Sequence, residues 1–155
     1  MQPPDFDRID RKILTLLQAD GRMSNTELAG RINLSPSACL RRVRLLEDSA
    51  VIDGYVALVR QEAVGRSTNI FVEVTLKSQS EASLKAFEQA VIASPDIMEC
   101  YLMSGDADYL IRVAAADTQD YERLHKQHLT RLPGVARIRS SFALRAICKK
   151  TAYEV

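Results

Sequence analysis

The sequence predicts an α+β protein in which an N-terminal winged helix-turn-helix is followed by a C-terminal ferredoxin-like βαββαβ sandwich. Three observations carry this. Apolar residues recur at helical spacing up to Glu47 and change to strict alternation from Asn69. Two helix starts, at Ser24 and Ser35, lie close enough to bracket one short helix and a tight turn. The second half then runs strand, helix, strand, strand, helix, strand.

Taken in order, a short polar lead with Pro3 and Pro4 precedes Asp7, which caps a helix carrying Ile9, Ile13, Leu14 and Leu17 and stopping near Gly21. Ser24-Asn25-Thr26-Glu27 is a capping box and opens a helix through Leu28, Ala29 and Ile32. After a break over Asn33 and Leu34, Ser35 and Pro36 supply an N-cap and a first-turn proline for a third helix reaching Glu47. Leu40, Val43 and Leu46 are expected to pack inward. Ser35, Ser37, Ala38, Arg41, Arg42 and Arg44 then form a basic face, and its arginines have no acidic partner in sequence before Glu47. Small residues at the helix start permit close approach to a groove floor, and guanidinium forks can hold phosphates or a guanine edge. Val51 to Val59 alternates loosely about Asp53-Gly54 and predicts a small wing.

Composition places a DNA-binding domain at 1–60, a linker at 61–67 and a second domain at 68–155. There Ile70, Val72, Val74 and Leu76 form the buried side of a strand, and Leu84, Phe87, Val91 and Ile92 the stripe of a helix ending at Ser94-Pro95. Two short strands flank a hairpin connection over Ser104 to Asp108. Asp117 caps a helix bearing Tyr121, Leu124, His128 and Leu132, stopped by Pro133-Gly134. A last strand alternates Ala136, Ile138, Ser140, Phe142 and Leu144 against Arg137, Arg139, Ser141 and Arg145. One face of such a sheet has no intramolecular cover, and a second copy is the economical partner, setting two helix-turn-helix units on a two-fold axis.

The 155 residues carry a net charge of only +1, so binding to double-stranded DNA has to be local rather than a global basic coating. Cys39, Cys100 and Cys148 are odd in number and in no metal spacing, which predicts reduced thiols in a reducing cytoplasm. No apolar run approaches the roughly 18 residues of a membrane span, so no membrane partner is expected. His125 and His128 stand three apart near Asp117 and Asp120, a spacing able to hold zinc. No third ligand or nucleophile-base pair accompanies them, and His128 falls on the apolar stripe, so neither enzyme activity nor a cofactor is expected.

Several motifs in order resemble the leucine-responsive/asparagine-regulator (Lrp/AsnC) family of prokaryotic transcription regulators over essentially the whole chain. They are Asp7-x-x-Asp10-x-x-Ile13-Leu14, Asp20-Gly21-Arg22, Leu34-Ser35-Pro36, Cys39-Leu40-x-Arg42-Val43, Ile52-x-Gly54-Tyr55, Ser104-Gly105-Asp106-x-Asp108-Tyr109 and Leu132-Pro133-Gly134-Val135. The resemblance implies a homodimer assembling further, often to an octamer, and a small amino-acid effector held where dimers meet. Its core is expected at Gly105, Asp106 and Asp108, in the loop that begins at Ser104, with Tyr101, Met103, Thr118 and Ser141 nearby. It implies control of amino-acid metabolism genes through sequence-specific DNA binding. Arg41 and Arg44 lie where members differ, so the operator does not transfer. The alternative on the same fold is an architectural protein that wraps DNA without a ligand.

Overall fold

The computed structural model describes residues 6–155, so the lead with Pro3 and Pro4 lies outside the described residues. The chain divides into two compact units. One extends to Leu58 and takes back Ile147–Val155; the other is Val59–Ala146. Where the sequence pattern places a linker, Gln61–Val64 forms a 3-10 turn closed by Gly65 at φ 69°. The C-terminal residues that the pattern leaves with the second domain belong to the first unit.

Three helices build the first unit: α1 (Arg8–Ala19), α2 (Asn25–Ile32) and α3 (Pro36–Asp48). Each begins at an oxygen-bearing cap. Asp7 accepts from the amides of Ile9 and Asp10, Ser24 from Glu27, and Ser35 from Ala38. Half of the capping box forms, because the Glu27 carboxylate pairs forward with Arg31 at 2.7 Å, one turn along α2. Asn33 ends α2 at φ 58°, and the Leu34 amide reaches back to the Ala29 carbonyl at 3.0 Å, which closes the turn into α3. Ile13, Leu14, Leu28, Ala29, Ile32, Cys39 and Leu46 are the core.

The wing does not form. Residues 53–60 carry no strand pairing, and Val56, Leu58 and Val59 are exposed. A lone two-stranded ribbon without a buried face has little to hold it, and the loose alternation in this stretch supplies none. Instead the amides of Val51 and Ile52 bond the Leu46 carbonyl, at 2.9 and 3.0 Å, and the C-terminal segment is clamped to α1 by Gln18. The Gln18 amide donates to the Tyr153 carbonyl at 3.0 Å and accepts from the Tyr153 amide at 2.7 Å.

The second unit has β1 (Thr68–Leu76), α4 (Glu81–Ile92), β2 (Ile97–Leu102), β3 (Tyr109–Ala115), α5 (Thr118–Gln127) and β4 (Val135–Phe142). The strands lie in the order β2-β3-β1-β4, every pair antiparallel. Ile70, Val72 and Val74 of β1 and Ile111 of β3 are fully buried with Phe87 of α4 and Leu124 of α5 in one core. Phe87 packs on Tyr109 with ring centroids 4.5 Å apart.

Four inward assignments are corrected: Ile92, His128, Ala136 and Leu144. Ile92 is 85% exposed, because α4 ends there and its stripe runs through Leu84, Phe87 and Val91. His128 caps the end of α5 and is half-buried, while Leu129 of the following 3-10 turn fills the core. In β4 the pairing shifts between Thr75 and Leu76, which brings Val135 rather than Ala136 against the core. The strand stops at Phe142 and leaves Leu144 fully exposed.

Phe87→Ala should lower the unfolding free energy by about 3–5 kcal/mol, because it removes a buried ring and strands Tyr109 beside the cavity. Denaturant unfolding of the full chain followed by near-ultraviolet circular dichroism measures it; a loss under about 1 kcal/mol would contradict this core.

Candidate functional site

The third helix has two stripes. Cys39, Arg42, Val43 and Leu46 recur at helical spacing and face inward, with Cys39 and Leu46 buried and Arg42 and Val43 half-buried. Ser37, Leu40, Arg41 and Arg44 form the opposite, exposed stripe. The sequence pattern holds for Val43 and Leu46 and misses at one position: Leu40 is 39% exposed and Cys39 takes its place in the core. A thiol reads weakly as apolar in a pattern, although cysteine is among the most buried residue types.

Arg42 does not stand free beside its neighbours. Its guanidinium reaches Asp10 at 2.7 Å and Asp7 at 2.8 Å, so it ties α3 to the start of α1. The Asp7 carboxyl lies below its ordinary range, first because it accepts from the Asp10 amide and also because of Arg42. The two aspartates raise the Arg42 pKa further. At the other end of α3 the Tyr55 hydroxyl donates to Glu47 at 3.0 Å, and burial together with that carboxylate pushes its pKa up to about 12. The start of α3 is pinned by Asn25, whose side-chain amide donates to the Pro36 carbonyl at 2.9 Å. Ser35 serves as the cap, its hydroxyl 3.2 Å from that of Ser37; Ala38 is half-buried. Arg41 and Arg44 make no hydrogen bond or ion pair among the described residues. They are exposed cations on a rigidly held helix.

In the second unit the loop between β2 and β3 presents Ser104, Gly105 and Asp106 to solvent, next to exposed Met103. Asp108 is different. It is buried, and its carboxylate accepts from the Leu76 amide at 2.7 Å and the Gln79 side chain at 2.6 Å. Its own amide donates to the Val74 carbonyl and its carbonyl accepts from Met103. Asp108 thus anchors the loop to β1, each of its carboxylate oxygens accepting one hydrogen bond from within the chain. Gly105 has no left-handed φ, and a methyl group added there would meet nothing within 4 Å. Its own chain does not demand glycine.

The sheet face away from α4 and α5 carries Asn69, Phe71, Glu73 and Thr75 of β1, Leu110 and Arg112 of β3, Glu99 and Tyr101 of β2, and Arg137, Arg139 and Ser141 of β4. Arg112 bonds Glu99 and Asn69, and Arg139 bonds Glu73. Tyr101 and Ser141 stand on opposite edge strands, roughly 14 Å apart at ordinary strand spacing, so one chain does not bring them together. Thr118 is exposed at the start of α5. Asp106, however, shares a cavity of about 190 Å³ with Glu73, Thr75, Ala107, Arg137 and Arg139. Alternation alone puts these β1 and β4 residues on one face; only the strand order makes them neighbours. Among the described residues no group of three or more His, Cys, Asp or Glu is placed to hold a metal, and no helix is long and apolar enough to cross a membrane.

Residues 6–47 match the AsnC-type helix-turn-helix domain and residues 69–153 the Lrp/AsnC ligand binding domain. The Bkd operon transcriptional regulator of Pseudomonas aeruginosa is 41% identical over 96% of this chain and 97% of its own length. The leucine-responsive regulatory protein of Escherichia coli is 47% identical over 84% of this chain and 80% of its own. Among solved structures, an AsnC family transcriptional regulator from Agrobacterium tumefaciens superposes with a TM-score of 0.90 at 35% identity, covering 96% of each chain. A transcriptional regulator from Neisseria meningitidis in complex with L-Met superposes at 0.89 and 33% identity, also over 96% of each.

The two roles on α3 separate by experiment. Arg42→Ala should lower the unfolding free energy by about 1–2 kcal/mol, whereas Arg41→Ala and Arg44→Ala leave the melting temperature unchanged. The clamp should also weaken in acid. A carboxyl whose folded pKa is depressed contributes stability above its unfolded value, near pH 4, and loses it as pH falls through the folded value. Asp7→Asn should therefore flatten the acid limb of a stability-versus-pH curve. Asp108→Ala should cost about 1–3 kcal/mol in denaturant unfolding, from the two donors it leaves unpaired.

Proposed function

Because the chain belongs to the Lrp/AsnC family of transcription regulators, and is a DNA-binding regulator with a ligand-binding domain rather than an enzyme, we propose how its parts divide the work. The chain is a sequence-specific regulator of amino-acid metabolism genes, acting in the cytoplasm. Its third helix enters the major groove with the stripe Ser37, Leu40, Arg41 and Arg44. Ser37 and Ala38 allow close approach, Arg41 and Arg44 hold guanine edges or phosphates, and Leu40 offers an apolar contact to a thymine methyl. Arg42 orients the helix. The observation that carries this reading is the pair Arg41 and Arg44, which make no hydrogen bond or ion pair among the described residues and stand on a helix fixed at both ends.

A small amino acid is the effector, bound at the loop from Ser104 to Asp106 where dimers meet. Support comes from the relative named leucine-responsive and from the Neisseria protein's complex with L-Met. Gly105 adds to it: a glycine that its own backbone does not require fits a position that something outside the chain approaches closely. The uncovered sheet face joins two copies into a dimer, and dimers assemble further, to an octamer. Effector binding favours one assembly over another and so changes the spacing of the DNA-binding units.

Duplexes selected from a random pool and then competed with unrelated DNA at physiological salt test the DNA half. A preferred duplex should survive competition. Arg41→Ala or Arg44→Ala should cost about 1–3 kcal/mol and relax preference at one base pair, or lower the salt slope by about one if it holds a phosphate. Equal competition by any sequence would support the architectural alternative. A thermal-shift screen of the amino acids tests the sensing half, since a ligand at about 100 times its Kd adds about 2.7 kcal/mol.

A further inference from the structure

Resting on the reading of α3 as the helix that enters the major groove, we propose that the C-terminal segment takes the place of the wing, with Lys149 and Lys150 holding the phosphate backbone of the duplex beside the end of α3. The stretch that follows α3 is unsuited to this task. From Leu45 to Val59 the sequence has no lysine or arginine and three acids, Glu47, Asp48 and Asp53. The last turn of α3 holds no basic residue, and its carbonyl end already carries partial negative charge. A phosphate backbone beside a groove filled by α3 passes that end, where without a cation it would meet net repulsion.

The far end of the chain brings cations to this place. Ile147–Val155 belongs to the first unit, although β4, which precedes it, belongs to the second. Thr151, the residue after Lys150, lines a cavity of about 460 Å³ together with Gln18, Tyr55, Val56 and Tyr153. Tyr55 is in turn tied by its hydroxyl to Glu47 in the last turn of α3. Lys149 and Lys150 therefore come within a few residues of a point fixed to the end of α3. Two hydrogen bonds keep the segment there, since the Gln18 amide donates to the Tyr153 carbonyl and accepts from the Tyr153 amide. Both bonds are to backbone, so the clamp engages neither lysine.

Both lysines are exposed, and among the described residues neither makes an ion pair or a hydrogen bond. Other cations of the unit are occupied, Arg42 by Asp7 and Asp10 and Arg31 by Glu27. Lysine suits a backbone better than a base edge. Its ammonium is a point charge on a flexible stem and finds a phosphate from many directions, whereas guanine rewards the planar fork of an arginine. Contacts to phosphate fix a protein's position and orientation on the duplex without carrying sequence information. The two ends of the chain then divide the contact: α3 reads, and the C-terminal segment holds.

The affinity of the full-length protein for a duplex selected by the wild type, measured against salt, tests this. Lys149→Ala and Lys150→Ala together should lower the slope of log K against log salt by about 1.8, the equivalent of two phosphates, and weaken preferred and unrelated duplexes alike. Lys149→Arg with Lys150→Arg should keep the wild-type slope. Removing the same charge from the second unit, with Lys77→Ala and Lys85→Ala, should leave it unchanged. Hydroxyl-radical footprinting locates the contact: the alanine pair should lose protection of the backbone flanking the groove that α3 enters, and Gln18→Ala should lose it too although both charges remain. Neither lysine has a partner among the described residues, so an unchanged melting temperature is the control for folding. A wild-type slope in the alanine pair overturns the proposal, and if Arg41→Ala or Arg44→Ala still weakens the duplex, the reading of α3 stands without it. Flanking protection that survives Gln18→Ala overturns the clamp as what positions the lysines. If the wild type binds no duplex, the reading of α3 and the proposal fail together.

Discussion

The second unit is governed by burial along β1. Ile70, Val72 and Val74 have no exposed surface, and β1 is hydrogen-bonded to a strand on each side, so neither its face nor its register is free. A slip of one residue would turn Phe71, Glu73 and Thr75 into the core and expose the valines, which costs far more than any loop rearrangement returns. With the register fixed, the opposite face must present Glu73 and Thr75 to β4. Arg139 and Arg137 answer them there. The loop bearing Asp106 is fixed by the same strand, because Asp108 bonds the backbone of Val74 and Leu76. The β2–β3 loop is thereby tied to a central strand whose inward residues have no exposed surface.

In the first unit the comparable constraint is electrostatic. Inward positions of α3 are filled by Cys39, Val43 and Leu46, small or medium apolar groups, and by one cation. That cation is tolerable only because Asp7 and Asp10 meet it, and those same aspartates stabilise the positive end of α1. Two jobs share two carboxylates: starting α1 and orienting α3. The result is division of labour among three neighbouring arginines of one type, Arg41 and Arg44 outward and Arg42 inward.

Much of this was legible in the sequence wherever burial imposes a clean period. The alternation of Ile70 to Leu76 gave its strand and face, and Asp7, Ser24, Ser35 and Asp117 each cap the helix they announce. What was not legible depends on contacts distant in sequence. The inward turn of Arg42 needs aspartates more than thirty residues away. The phase of α3 hinges on whether Cys39 or Leu40 is the apolar position, and the hydropathy of a thiol does not decide it. Asp106 and Asp108 look alike in sequence, and only the sheet shows which of the two is buried. The wing failed because loose alternation about Asp53-Gly54 is a turn signal without an apolar face to bury. The cavity at Arg137 was invisible because alternation assigns faces and not strand neighbours.

The uncovered sheet face also sets a condition on assembly. Phe71, Leu110 and Tyr101 lie there among charged pairs, Glu73 with Arg139 and Glu99 with Arg112, that are already closed within one chain. A second sheet packed on this face need not complete those pairs, but it has to desolvate them, and that cost offsets much of what burying the apolar residues returns. Such an interface gains orientation more than strength, since a displaced register sets like charges together. A large apolar interface would hold one assembly whatever the ligand did. A face of balanced charges would leave competing arrangements closer in free energy, which is the condition for a bound ligand to change their populations.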